Sequence, residues 1–150
     1  LLYQLLDEEK DVSKLRFIKS ERPDVKQLIN TISAASARGA KVLEGFAKSD
    51  ASINLKGENL PPGEVAARSS IADTKKKELL GRSGEKFELT LLLSQAEALN
   101  YGWHLAEVTA RNEAQPERAR QLAGMGGEME GLYRQVFDMI RLKTEGAPVK

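Results

Sequence analysis

The sequence predicts an all-α fold, a four-helix bundle, and three observations carry that prediction. Three long stretches repeat apolar residues at alternating intervals of three and four, the period of an amphipathic helix. The five prolines fall between those stretches, at their starts or in the tail, and never inside them. At 150 residues the chain is the size of one domain, and it can bury roughly 70% of its unfolded surface in one core. We read residues 1–145 as that single domain and 146–150, which hold Gly146-Ala147-Pro148, as a frayed tail.

The first helix is expected from Leu1 to about Ser20, with Leu1, Leu5, Val12, Leu15 and Ile18 on one side. Arg22-Pro23-Asp24 interrupts it. Proline suits the first turn of a new helix, and Asp24 suits its positive end. From Asp24 to Lys48 the periodicity is the clearest in the chain: Val25, Leu28, Ile32, Ala35, Gly39, Val42 and Phe46. Its middle is small (Ala34 to Ala37, Gly39), which predicts close approach to a neighbouring helix or, alternatively, room for a ligand.

Residues 49–63 carry Asn54, Gly57, Asn59 and Pro61-Pro62-Gly63, the chemistry of turns. This long cross-over is expected to continue through 64–80 as one or two short helical pieces. Gly81-Arg82-Ser83-Gly84 then breaks the chain, with Ser83 placed to cap the next helix.

Gly84 to Glu113 is the central helix, about eight turns and roughly 45 Å long. Phe87, Leu91, Ala98, Leu105 and Val108 make one apolar stripe, and Leu89, Leu92, Ala96, Leu99, Trp103, Ala106 and Ala110 make another. Between them runs a polar wedge of Glu97, Asn100, His104, Glu107 and Arg111. A helix so apolar is expected to be covered on more than one side. Glu88, Gln95, Gly102 and Thr109 fall at intervals of seven on the side expected to be buried. Glu88 sits near the positive end of the helix, and buried Gln95 needs a partner, for which Ser36 is a candidate. The last helix starts at Pro116 and repeats Ala119, Leu122, Gly126, Met129, Tyr133, Val136 and Ile140. Its four glycines (124, 126, 127 and 131) each cost about 1 kcal/mol relative to alanine, which predicts a close helix contact or a kink.

Composition narrows the function. The net charge is +1, from 23 basic and 22 acidic side chains that are well mixed, so the basic face of a nucleic-acid binder is not expected. Lys75-Lys76-Lys77 reads as a solvated helix face. The chain has no cysteine and hence neither disulfide nor thiolate chemistry. Apolar runs fall well short of the roughly twenty residues of a membrane span. His104 is the single histidine and is expected to be exposed on its helix. No nucleophile–base pair and no Glu-x-x-His ligand pair is legible, so neither an enzyme nor a metal or other cofactor is expected. The glycines of the last helix do not follow a strand and do not form a phosphate-binding loop.

Two stretches carry a resemblance. The first runs from Arg22-Pro23-Asp24-Val25-Lys26 through Leu43 to Leu60-Pro61; the second holds Ser83-Gly84, Phe87-Glu88 and Leu91. Together they resemble a family of bacterial ferritin-like bundles of unknown function, common among periplasmic and exported proteins. The likeness covers most of residues 12–140. The family's histidines fall here on Ser36 and Leu99, with a third near Gly131 or Leu132, and their preceding aspartates on Ala35 and Ala98. The resemblance therefore implies a ferritin-like frame, export from the cytoplasm and no metal site of the family's kind.

The leading expectation is a non-enzymatic structural or interaction module. The alternative is a small-molecule carrier or sensor with its pocket between the helices at Ser36, Gly39, Gln95, Leu99, Gly102 and Gly131. The opening Leu1-Leu2-Tyr3 reads as the start of a trimmed fragment, and with Leu6 it could cover the bundle or pair with a second copy.

Overall fold

The computed structural model describes residues 1–14, 22–57 and 60–145. Leu15 and Ile18 of the expected first helix, Asn59 of the cross-over and the expected tail lie outside them. The described residues form α1 (Leu2–Glu9), α2 (Pro23–Ser49), α3 (Pro62–Gly81), α4 (Gly84–Asn112) and α5 (Pro116–Glu145), with no strand among them. Among the described residues the fold is all-α, of five helices packed together. Helices α4 and α5 make the most extensive contact; α1 packs on α2 and on α4, α2 on α5, and α3 on α4.

The shared core is leucine, isoleucine, valine and phenylalanine drawn from these helices. Val25, Ile29 and Ile32 of α2, Leu91, Leu92 and Ala106 of α4, and Val136 of α5 are wholly inaccessible. Proline begins α2, α3 and α5 within their first two positions or at their first residue, as the missing N–H allows. Ser83 occupies the N-cap of α4 without a side-chain cap bond, and Gly84 follows at φ +56°, a left-handed conformation natural to glycine.

Three expectations need correction. The first helix breaks after Glu9: residues 10–11 form a turn, and the chain is helical again over 12–14, the last described residues before 22. The cause is tertiary: Ser33 Oγ of α2 donates to the Lys10 carbonyl, and the Lys14 N–H turns to Asp11 O at 2.9 Å. The helix is also rolled by about one position, so Leu2 and Leu6 are buried while Leu1 is 41% exposed and Leu5 half-buried. Second, residues 62–81 form one unbroken helix of 20 residues, not one or two short pieces, and only its Leu79 is buried. Third, the far half of α4 is less covered than its stripes suggest. Val108 is 49% exposed, beyond the stretch that α1 covers.

The glycines of α5 divide. A Cβ on Gly126 would lie 3.4 Å from Glu107 Cγ and 3.6 Å from Ala106 Cβ, so close approach to α4 explains this one. Gly124, Gly127 and Gly131 face open space, and α5 is continuous through them.

Candidate functional site

Two glycines, one in α2 and one in α4, shape the centre of the molecule. A Cβ on Gly39 of α2 would come 2.9 Å from Leu6 Cδ1, and one on Gly102 of α4 would come 2.9 Å from Leu5 Cδ2 and 2.8 Å from Met129 Sδ. The missing side chains are what let the leucines of α1 settle between α2 and α4. Of the small stretch in α2, Gly39 thus serves packing, whereas Ala34 and Ala37 are exposed.

The six positions anticipated as a pocket are only partly brought together. Ser36, Gln95 and Leu99 border one cavity of about 10 Å³, with Glu9 and Met129; Ser36, Gly39 and Leu99 border a second of about 10 Å³. Each is close to the volume one water molecule needs. Gly102 is occupied by Leu5 and Met129, and Gly131 lies on the exposed face of α5, lining neither cavity.

The partner of Gln95 is Glu9, not Ser36. Gln95 Nε2 donates to Glu9 Oε2 at 2.8 Å, while Gln95 Oε1 is buried without a donor among the described residues. Burial pushes the Glu9 carboxyl above its ordinary value. Glu8 adds to the effect, and the Gln95 bond and Lys75 oppose it. Glu88, 3% exposed, pairs with Lys143 Nζ of α5 at 2.5 Å. It is a cross-helix ion pair, not simply a carboxylate at a helix start.

The open space lies elsewhere, between α1 and α3. A cleft of about 440 Å³ is bordered by Leu1, Leu5, Val65, Arg68 and Tyr101, and one of about 630 Å³ by Asp11, Lys76, Leu79, Leu91 and Gln95. Both include Glu8 and Ala72, so they form one trough floored by α4. Helix α3 is tethered over it by a few contacts. Arg68 donates to Tyr101 Oη at 2.8 Å with its guanidinium 5.2 Å from that ring's centre, and Lys75 pairs with Glu97. One wall carries Glu8 and Asp11, the other Arg68 and Lys76. Sequence reading missed the trough because the inward residues of α3 (Val65, Arg68, Ser69, Ala72, Lys76) are mostly polar or small.

At the far end Arg118 of α5 bonds Asp50 after α2 at 2.8 Å and Glu113 after α4 at 3.1 Å, with its guanidinium 5.9 Å from the Phe46 ring centre. Asp50 is held at about 2 by the Ser52 hydroxyl, then by Arg118 and the Ser52 N–H. His104 is 56% exposed at its side chain, stacked on Trp103 at 4.5 Å. Among the described residues no cluster of three or more histidine or carboxylate side chains could hold a metal ion, and no helix is long and apolar enough to cross a membrane.

These features define an all-helical protein with a surface trough. Comparison with protein-family models, with curated proteins and with solved structures returns no match for the chain.

Proposed function

We propose that the chain is a non-enzymatic interaction module. Its frame is a ferritin-like four-helix bundle of α1, α2, α4 and α5, exported from the cytoplasm, and α3 is the cross-over carried on its flank. The cyclic order of contacts, α1 to α2 to α5 to α4 and back to α1, supports the four-helix frame. The sequence resemblance supports the ferritin-like form and export. Ser36 and Leu99 stand where that family carries histidines, so the frame holds no metal centre of that kind. Stoichiometric iron, manganese or zinc in the purified protein would refute this part.

The observation that carries the reading is the trough. Its apolar floor and lower walls (Leu5, Leu79, Leu91, Tyr101) lie between a net acidic rim (Glu8, and Asp11 paired with Lys14) and a basic rim at Arg68 and Lys76. The matching occupant is an amphipathic helix of another protein, with its basic edge toward α1 and its acidic edge toward α3. Ala72 borders both clefts and is exposed, so Ala72→Arg fills the trough without touching the core. Cross-linking in an extracytoplasmic extract is expected to join the wild type to a partner and to fail with Ala72→Arg, at unchanged helicity. An identical cross-linking pattern for both proteins rejects the reading.

A second reading, a small-molecule carrier, is favoured by volume alone. Both clefts fall in the roughly 300–1,000 Å³ range of ligand pockets. Tetrapyrroles and apolar small molecules are the probes. A compound that raises the Tm of the wild type but not of Ala72→Arg supports the carrier, because a ligand of the native state must stabilise it.

A further inference from the structure

The amide of Gln95 is 1% exposed and only half bonded. Its Nε2 donates to Glu9 Oε2 at 2.8 Å, and its Oε1 has no donor among the described residues. An ionised Glu9 cannot supply one, because both carboxylate oxygens only accept. A protonated carboxyl carries the one O–H that is missing. Facing a primary amide, it closes a ring of two hydrogen bonds, amide N–H to one acid oxygen and acid O–H to the amide oxygen.

We propose that Glu9 and Gln95 form a proton-operated latch between α1 and α4, closed when the Glu9 carboxyl carries a proton and released when it gives that proton to solvent. The surroundings favour the neutral form. Glu9 is the last residue of α1, where the helix dipole is negative, and the last turn of α1 holds no basic residue. Glu8 stands beside it on α1. From α2 come Ile32 and Ser36, from α5 Met129, none of them ionisable. The opposing charges are on α3: Lys75, already paired with Glu97, and Lys76. Asp11 and Lys14, just beyond α1, pair with one another. Glu9 is half-buried: on its inner side the cavity of about 10 Å³ has room for no more than about one water, and solvent reaches the carboxyl only from the cleft side.

Glu9 and Gln95 both border the 630 Å³ cleft, which gives the ionised carboxylate its way out toward Lys76. Loss of the latch leaves α1 held by buried Leu2, by Leu5 and Leu6 against the two glycines, and by the Tyr3–Glu44 and Ser33–Lys10 hydrogen bonds to α2. The balance of burial and charges, which raises the Glu9 carboxyl above 4.5, is in the same sense. The latch does not depend on whether the trough has a partner. The sign follows from linkage. Its stabilisation is complete below 4.5, the ordinary glutamate value, and is lost as pH rises through the higher value of the folded protein.

The test compares wild type with Glu9→Gln, in which two facing amides keep the ring closed at any pH. Between about pH 4 and pH 8, the Tm of the wild type is expected to fall relative to Glu9→Gln. Opening of the α1 amides, followed by hydrogen exchange and corrected for the intrinsic rate, should rise several-fold in the wild type alone. Parallel pH profiles for the two proteins overturn the latch. If Glu9→Gln does not fold, the carboxyl carbon of Glu9 is titrated by NMR in the wild type. A midpoint above 4.5 supports the latch, and one at or below 4.5 overturns it.

Discussion

Glu88 and Lys143 show how much a single pair can matter at the residue scale. Their side chains are 4% and 11% exposed and 2.5 Å apart, joining the N-terminal part of α4 to the last turn of α5. Removing one partner leaves a desolvated charge, while replacing both with apolar groups removes the desolvation cost as well. We expect Glu88→Leu to lower stability by about 3 kcal/mol in urea unfolding, and Lys143→Met added to it to restore most of that loss. Simple addition of the two single effects would show that the pair is not coupled. Glu88 was legible as a polar residue on the buried side, but its partner was not. Lys143 lies 55 positions away, and no local pattern links them.

At the scale of elements, glycine marks which helix faces are in use. Gly124, Gly127 and Gly131 meet nothing, so alanine at each should stabilise α5 by about 0.8–1 kcal/mol through helix propensity alone. Gly102→Ala should behave oppositely, because its Cβ would press on Leu5 and Met129. Overpacking costs about 1–3 kcal/mol, against a propensity gain of at most about 1. Chemical unfolding of the four variants checks both signs. The same logic separates α1 from α3. Leu2, Leu6 and Leu5, with the Tyr3–Glu44 hydrogen bond, hold the eight residues of α1, while 20 residues of α3 bury Leu79 alone. Length of helix and strength of attachment are therefore unrelated here. Periodicity identified α2, α4 and α5 because their apolar stripes are long. It understated α3, whose helix is supported by good helix formers and a proline start more than by burial.

At the scale of the whole molecule, acid should loosen the junction where Arg118 ties Asp50 to Glu113. Asp50 is held at about 2 against an ordinary 3.8, and Glu113 is also lowered, first by the Gln115 N–H and then by Arg118. Groups lowered in the folded state stabilise it above their ordinary values, and that contribution is lost as pH falls, for Asp50 between 3.8 and about 2. Circular dichroism on acid titration should show this loss. Ser52→Ala and Arg118→Met should each move the acid midpoint upward, and unchanged midpoints would refute the assignment. Glu9 acts with the opposite sign at higher pH, so different groups limit stability on the two sides of its maximum.

Taken alone, the sequence determined α2, α4 and α5 and the presence of a shared core, because a three-four repeat and proline starts are local properties of the chain. It also placed Gln95, Glu88 and Ser36 correctly on buried faces. Only the tertiary structure decided where the first helix stops, which glycines are packed, who bonds to Gln95, and that the open space lies between α1 and α3. Each of these depends on how one helix is rolled and shifted against another. A roll of one residue is enough to bury Leu6 in place of Leu5 and to bring Glu9 onto Gln95.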